Sequence, residues 1–197
     1  MKKILGAVAL VVFSLACNGQ RFGLKGGVNI SSVSSDSWDS KNSKIGFYTG
    51  AYMKAYVNQY FSIQPEILYN NLGVKYETNK TSHTIGLNYI AMPIMFQFEP
   101  IPKFYLEAGP QFGLLVGSRN KYESGNKTII EIDKNAYNDF DLNVGLGAGY
   151  NINGRIGITA RYLVGLTDIK KSGSTSISND DNQLRNSAFQ FGLQYGF

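Results

Sequence analysis

Strict period-two alternation constrains this chain more than any other feature. Residues 138–150 show it most cleanly: Phe140, Leu142, Val144, Leu146, Ala148 and Tyr150 alternate with Asp139, Asp141, Asn143, Gly145, Gly147 and Gly149. Successive side chains of a β-strand point to opposite faces, so such a run is a strand with one apolar face and one face of small and polar residues. Seven further stretches carry the same pattern, at 21–31, 44–56, 60–75, 84–98, 103–117, 155–166 and 187–197. The chain is therefore expected to be all-β. At a rise of roughly 3.3 Å per residue and the tilt of a barrel, each stretch can cross an apolar band of about 25 Å. Pro65 cannot donate to a ladder, so an irregularity is expected in the third strand.

The connections alternate as well. Polar runs at 32–43, 77–82, 118–137 and 167–184 are expected to be loops, whereas 57–59, 99–102 and 151–154 read as tight turns, the last with Gly154 where a positive φ is needed. In an up-and-down barrel this order puts every tight turn and both strand ends of the chain on one rim. Outer-membrane barrels have this parity, with short periplasmic turns and longer external loops. The last stretch should pair with the first, because a bilayer tolerates no unpaired edge. The expected fold is an eight-stranded antiparallel up-and-down transmembrane β-barrel.

Alternation alone does not say which face points outward. A ligand-binding barrel of the lipocalin kind turns its apolar face in; a membrane barrel turns it out. The second face decides. It holds Gly46, Gly50, Gly109, Gly113, Gly145, Gly147 and Gly149 together with Lys25, Lys54, Glu66, Glu107, Asp139, Asp141, Arg155 and Arg161. Small residues and charges of both signs suit a narrow lumen in which the charges pair, so these eight charged residues are expected to form a structural network there. Little room is left for an open pore. Small-solute or proton passage is a second possibility, and a soluble periplasmic ligand-binding barrel another.

Residues 1–19 read as a signal peptide. Lys2 and Lys3 precede the apolar run 4–16, which is too short to cross a bilayer as a helix, and cleavage is expected near Gly19. The rival is cleavage before Cys17 with acylation of that cysteine. Residues 20–197 then form one barrel domain. Cys17 is the only cysteine, so no disulfide framework and no thiolate metal site is expected. The net charge of +5 loses two with Lys2 and Lys3, leaving +3, too little to argue for nucleic acid. The abundance of 22 Gly, 13 Tyr and 12 Phe fits a barrel with aromatic girdles.

Two resemblances sharpen this. The stretch 187–197, with Gly192, Tyr195 and Phe197, resembles the closing strand of bacterial outer-membrane barrels, which the barrel-assembly machinery reads as a signal; Phe191 departs from it, since a polar residue usually precedes the glycine. Lys25-Gly26-Gly27-Val28-Asn29, Gln64-Pro65-Glu66-Ile67-Leu68-Tyr69, Asn88-Tyr89-Ile90-Ala91-Met92-Pro93, Glu107-Ala108-Gly109-Pro110 and Gly145-Leu146-Gly147-Ala148-Gly149-Tyr150 resemble the landmarks of the PorT-like outer-membrane β-barrel family of Bacteroidetes. That resemblance implies an eight-stranded porin-like barrel in the outer membrane and little about activity.

Signals for chemistry are sparse. His83, the only histidine, stands beside Ser82, and a lipid-A deacylase or palmitoyl transferase would need a His, a Ser and an acid near the outer leaflet. No third member is marked, so no enzymatic role is expected. Asp36, Asp39, Asp133, Asp180 and Asp181 lack the spacing of a calcium loop, so neither metal nor cofactor is expected. The expected role is a scaffold in the outer membrane whose external loops, above all 118–137 and 167–184, bind an extracellular ligand or protein or protect the envelope. Its other expected partners are outer-membrane lipid and the barrel-assembly machinery.

Overall fold

The computed structural model describes residues 20–34, 43–78, 81–124, 127–131, 138–167 and 185–197. The signal segment with Cys17, and Asp36, Asp39, Asp133, Asp180 and Asp181, lie outside the described residues. The strands are β1 (Arg21–Ser34), β2 (Lys44–Tyr56), β3 (Phe61–Thr78), β4 (Thr81–Ile101), β5 (Phe104–Ser124), β6 (Lys127–Glu131), β7 (Phe140–Asn151), β8 (Ile156–Gly165) and β9 (Arg185–Gly196). Every pairing is antiparallel. Eight strands close a ring in the order β1-β2-β3-β4-β5-β7-β8-β9, with β9 back on β1 from Gly23↔Gly196 to Ser34↔Arg185. β6 stands outside this ring and, among the described residues, pairs only with the far end of β5.

Polarity is inside out relative to a water-soluble protein. Phe22, Leu24, Phe47, Ile67, Phe96, Leu146, Phe191 and Leu193 are each about half exposed on the outer wall, whereas Asn29, Gln64, Glu66, Asn70, Gln97, Gln111, Arg161 and Gln190 are buried within it. Burying polar groups while exposing apolar ones is favourable only where the outside is hydrocarbon. Aromatic pairs mark the two ends of the apolar band. Phe61 stacks on Phe98 at 5.0 Å and Tyr195 meets Phe197 edge-on at 5.7 Å near the short-turn rim. Phe47–Tyr69, Phe112–Phe140 and Tyr162–Phe189 do the same near the other. Girdles of this kind sit at lipid interfaces.

Two tight turns share one device. Asn58 Oδ1 accepts the backbone N–H of Tyr60 at 2.8 Å and of Phe61 at 2.9 Å, and Asn153 Oδ1 accepts those of Arg155 at 2.8 Å and Ile156 at 2.7 Å. Gly154, expected at a positive φ, does not adopt one; the asparagine side chain completes that turn instead. Among the described residues only Gly73 and Lys103 have positive φ, and Lys103, at 73°, follows Pro102 in the β4–β5 turn. Asn153→Ala is expected to cost about 1 kcal/mol, the net worth of hydrogen bonds lost at a partly solvated turn, measurable as a lowered urea midpoint for the barrel in lipid vesicles.

Prolines leave a diagonal scar across the wall. The β2–β3 ladder skips the positions opposite Gln64 and Pro65, the β3–β4 ladder skips those beside Pro93, and the β4–β5 ladder skips those beside Pro110. Each missing N–H removes its rung, as expected at Pro65. A register shift also separates Asn88/Tyr89 in β4–β5, where Asn88 faces Gly117 but Tyr89 faces Leu115. The extra residue lets both Leu115 and Ser118 bury in the lumen.

Beyond the membrane band the structure departs from the expected loops. Of the stretch expected as a loop at 77–82, residues 77–78 and 81–82 are strand: β3 and β4 stay paired through Glu77↔Ser82 and Thr78↔Thr81. Nor is 118–137 one long loop, since β5 runs to Ser124 and β6 folds back on it from Ser124↔Lys127 to Asn120↔Glu131. Val74, Tyr76, Thr78, Thr81, Ile85, Tyr122, Thr128, Ile129 and Ile130 carry enough β-branched and aromatic character to extend the strands past the bilayer, although charges interrupt the apolar pattern.

Candidate functional site

Two places could carry function: the lumen and the sheet that projects from the long-loop rim. At the centre of the lumen lies Arg161 of β8. Its Nη1 and Nη2 donate to Glu66 Oε2 at 3.0 Å and Oε1 at 2.9 Å, and its Nε donates to Glu107 Oε1 at 2.8 Å. Lys25 Nζ completes a neutral four-charge cluster at 3.1 Å from Glu66 Oε1. All four side chains are at most 1% exposed. Desolvating them costs several kcal/mol per ion, offset by a bidentate guanidinium–carboxylate pair and by amides that take up the remaining lone pairs. Gln64 donates to Glu66 at 2.8 Å, and Gln97 to Glu107 at 3.1 Å and Gln64 at 3.2 Å.

The other expected lumen charges are placed differently. Lys54 pairs with Glu99 at 2.6 Å near the short-turn rim, its ammonium over the Tyr56 and Tyr105 rings, and does not reach the central cluster. Asp141 is buried nearer the opposite end, accepting from Asn143 at 3.1 Å and Thr167 at 2.9 Å. Asp139 and Arg155 are exposed and are not lumen residues. Asp139 precedes β7, where its carbonyl accepts from Leu115 N at 2.8 Å, and Arg155 sits in the β7–β8 turn. In both cases the alternation of the sequence runs past the end of the strand, and a residue beyond the wall has no lumen to face. Glu99 and Gln97 are not among those eight residues, although the inward parity marks Gln97, as it does the buried Gln190 of the last strand.

The rest of the lumen is filled. Gln190 bridges Asn29 at 2.9 Å and Asn70 at 3.3 Å, and Leu68, Leu72, Leu87, Leu115, Leu163 and Met95 pack buried around these groups. A row across six strands has three glycines and Thr159 between two tyrosines: Tyr105 pairs with Gly149, Gly149 with Thr159, Thr159 with Gly192, Gly192 with Gly27, and Gly27 with Tyr48. The two tyrosine rings enter this row from opposite ends. A Cβ on Gly149 would overlap Tyr105 Cζ and Oη, and one on Gly192 would overlap Tyr48 Oη. Gly192, expected in an assembly signal, thus also makes room for a buried ring, while Tyr195 and Phe197 are exposed on the outer wall. Buried side chains thus occupy the described part of the lumen, as a narrow eight-stranded barrel requires.

Ser82 and His83 lie on the strand β4 of the projecting sheet, paired with Glu77 and Tyr76 on one side and Glu123 and Tyr122 on the other. Their side chains lie outside what the structure describes. The sheet β3-β4-β5-β6 ends at β6, whose outer edge has no partner strand among the described residues.

The chain matches the model of the outer membrane protein beta-barrel domain over residues 16–171. It belongs to that family. Solved structures agree on the fold: Ail, the attachment invasion locus protein of Yersinia pestis, is 15% identical over 92% of this chain and 100% of Ail, with a TM-score of 0.54. Ail with the heparin analogue sucrose octasulfate is 14% identical over 91% and 100%, at 0.55. Neisserial surface protein A is 14% identical over 91% and 100%, at 0.53. No curated protein matches the chain. This outer membrane β-barrel protein is thus placed in the outer membrane, which sets aside the soluble ligand barrel, and its short turns take the periplasmic rim.

Proposed function

We propose that this outer-membrane barrel is a plugged, non-enzymatic mount for its external sheet, which captures an extended segment of a surface ligand or protein by strand addition. The observation that carries this reading is the outer edge of β6, which has no partner strand among the described residues: a backbone ladder that stops beyond the membrane leaves N–H and C=O groups ready for a partner strand. The packed lumen supports it, since a rigid frame holds the edge at a fixed height. Ail, whose name records attachment and whose structure is known with a heparin analogue, shares the fold and fits a surface-binding role. The PorT-like landmarks place the chain, as a proposal, among the porin-like Bacteroidetes barrels. Tyr195 and Phe197, exposed together at the periplasmic rim, are the proposed contact for the assembly machinery.

Ile129 and Ile130 are adjacent on β6, so one turns its N–H to β5 and the other turns it outward. In a screen of displayed extended peptides, the wild-type protein should retain ligands that Ile129→Pro or Ile130→Pro loses, with heat-modifiable migration unchanged. Equal retention by both variants would remove the strand-addition reading. In planar bilayers the wild type should give no single-channel steps; steps that vanish on Glu107→Gln or Arg161→Gln would instead establish a conducting lumen.

A further inference from the structure

One sector of the lipid-facing wall carries small side chains on neighbouring strands. Ala148 of β7 pairs directly with Ala160 of β8, which in turn pairs with Phe191 of β9. Two methyl groups between long neighbours leave a depression of about 510 Å³, almost wholly apolar, walled by Phe104, Tyr150, Ile158 and Leu193. It lies in the periplasmic half of the bilayer, because Phe104 and Tyr150 are the residues next to the β4–β5 and β7–β8 turns. Lipid is the medium on this wall. An unfilled depression would forfeit dispersion contacts on every lining atom.

Cations lie in the turns at the periplasmic ends of the strands that wall this depression. Lys103 immediately precedes Phe104, and its carbonyl accepts from Asn151 N at 2.7 Å, which sets it beside the end of β7. Arg155 closes the next turn, and Arg21 Nη1 donates to the carbonyl of Gly154 at 3.2 Å, one residue away. Lys103 and Arg155 are exposed, and among the described residues neither side chain has an ion pair. Glu99, the carboxylate of these turns, is already held by Lys54.

We infer that this sector binds one anionic glycerophospholipid of the periplasmic leaflet, an acyl chain lying over Ala148 and Ala160 and the phosphate between Lys103 and Arg155. The apolar depression selects a chain and the cations select the charge. A second copy of the protein would fill the depression too, but it would bring the same three cations to the contact and set them against one another.

Native mass spectrometry of the full barrel, extracted in mild detergent and titrated with phosphatidylglycerol or phosphatidylcholine, tests this. The wild type should retain one phosphatidylglycerol about thirtyfold more tightly than phosphatidylcholine, the scale two interfacial cations imply. Lys103→Gln with Arg155→Gln should abolish that preference, and Ala148→Leu with Ala160→Leu should weaken both lipids alike. Equal retention of the two lipids by the wild type, or a preference that survives the charge variants, overturns the assignment. So does a doubled mass that Ala160→Leu removes, which would show a second copy in the groove. Heat-modifiable migration checks that each variant is folded, and the exposed Lys103 and Arg155 changes decide the matter even if the alanine variants do not fold.

Discussion

Arg161→Ala is expected to destabilise the folded barrel by about 3–5 kcal/mol, the cost of removing one partner from a buried ion cluster. The reason is local. Three of the guanidinium's N–H groups are spent on Glu66 and Glu107, and without them two carboxylates share a closed lumen with Lys25 alone. Arg161→Lys keeps the charge but cannot reproduce the bidentate fork, so it should fall between wild type and alanine. Reversible urea unfolding into lipid vesicles, followed by tyrosine fluorescence and gel mobility, gives the comparison. The telling variant changes the whole cluster. If Lys25→Met, Glu66→Gln, Glu107→Gln and Arg161→Met together cost less than Arg161→Ala alone, the penalty of the single change lies in the stranded carboxylates rather than in lost attraction. A larger loss in the fourfold variant would show that the ion pairs themselves hold the barrel together.

Gly149→Ala is the second large effect, about 1–3 kcal/mol from overpacking a filled interior. A methyl group there would overlap Cζ, Oη and Cε1 of Tyr105, a ring that is fully buried and cannot swing away. Gly154→Ala provides the contrast: nothing lies within 4 Å of its Cβ and its φ is not positive, so little change is expected. Tyr105→Leu should relieve much of the cost of Gly149→Ala in a double-mutant cycle. Additive effects would mean that the ring is not what the glycine accommodates.

Much of the wall was legible in the sequence because a strand's side-chain period of two is a local property. Phe140, Leu146 and Leu193 face out and Asn143, Arg161 and Gln190 are buried, as the alternation of their segments implies, and the parity of short and long connections places the periplasmic turns on one rim. The errors fall where a strand stops. Asp139 and Arg155 continue the alternation on paper but lie beyond the wall, and the segments at 77–78, 81–82, 118–124 and 127–131 look like loops because their charges hide a β-branched pattern that the sheet continues to use.

Sequence by itself thus determined the strands, their two faces and the membrane that the outer face requires, since each follows from residues close together in the chain. Tertiary structure alone decided that Arg161 meets Glu66 across 95 positions, that Gly149 and Gly192 are seats for Tyr105 and Tyr48, and that β6 folds back on the far end of β5 above the bilayer. These depend on register around a closed ring. Register is fixed by the sum of all neighbouring pairings, and no segment carries that sum within itself.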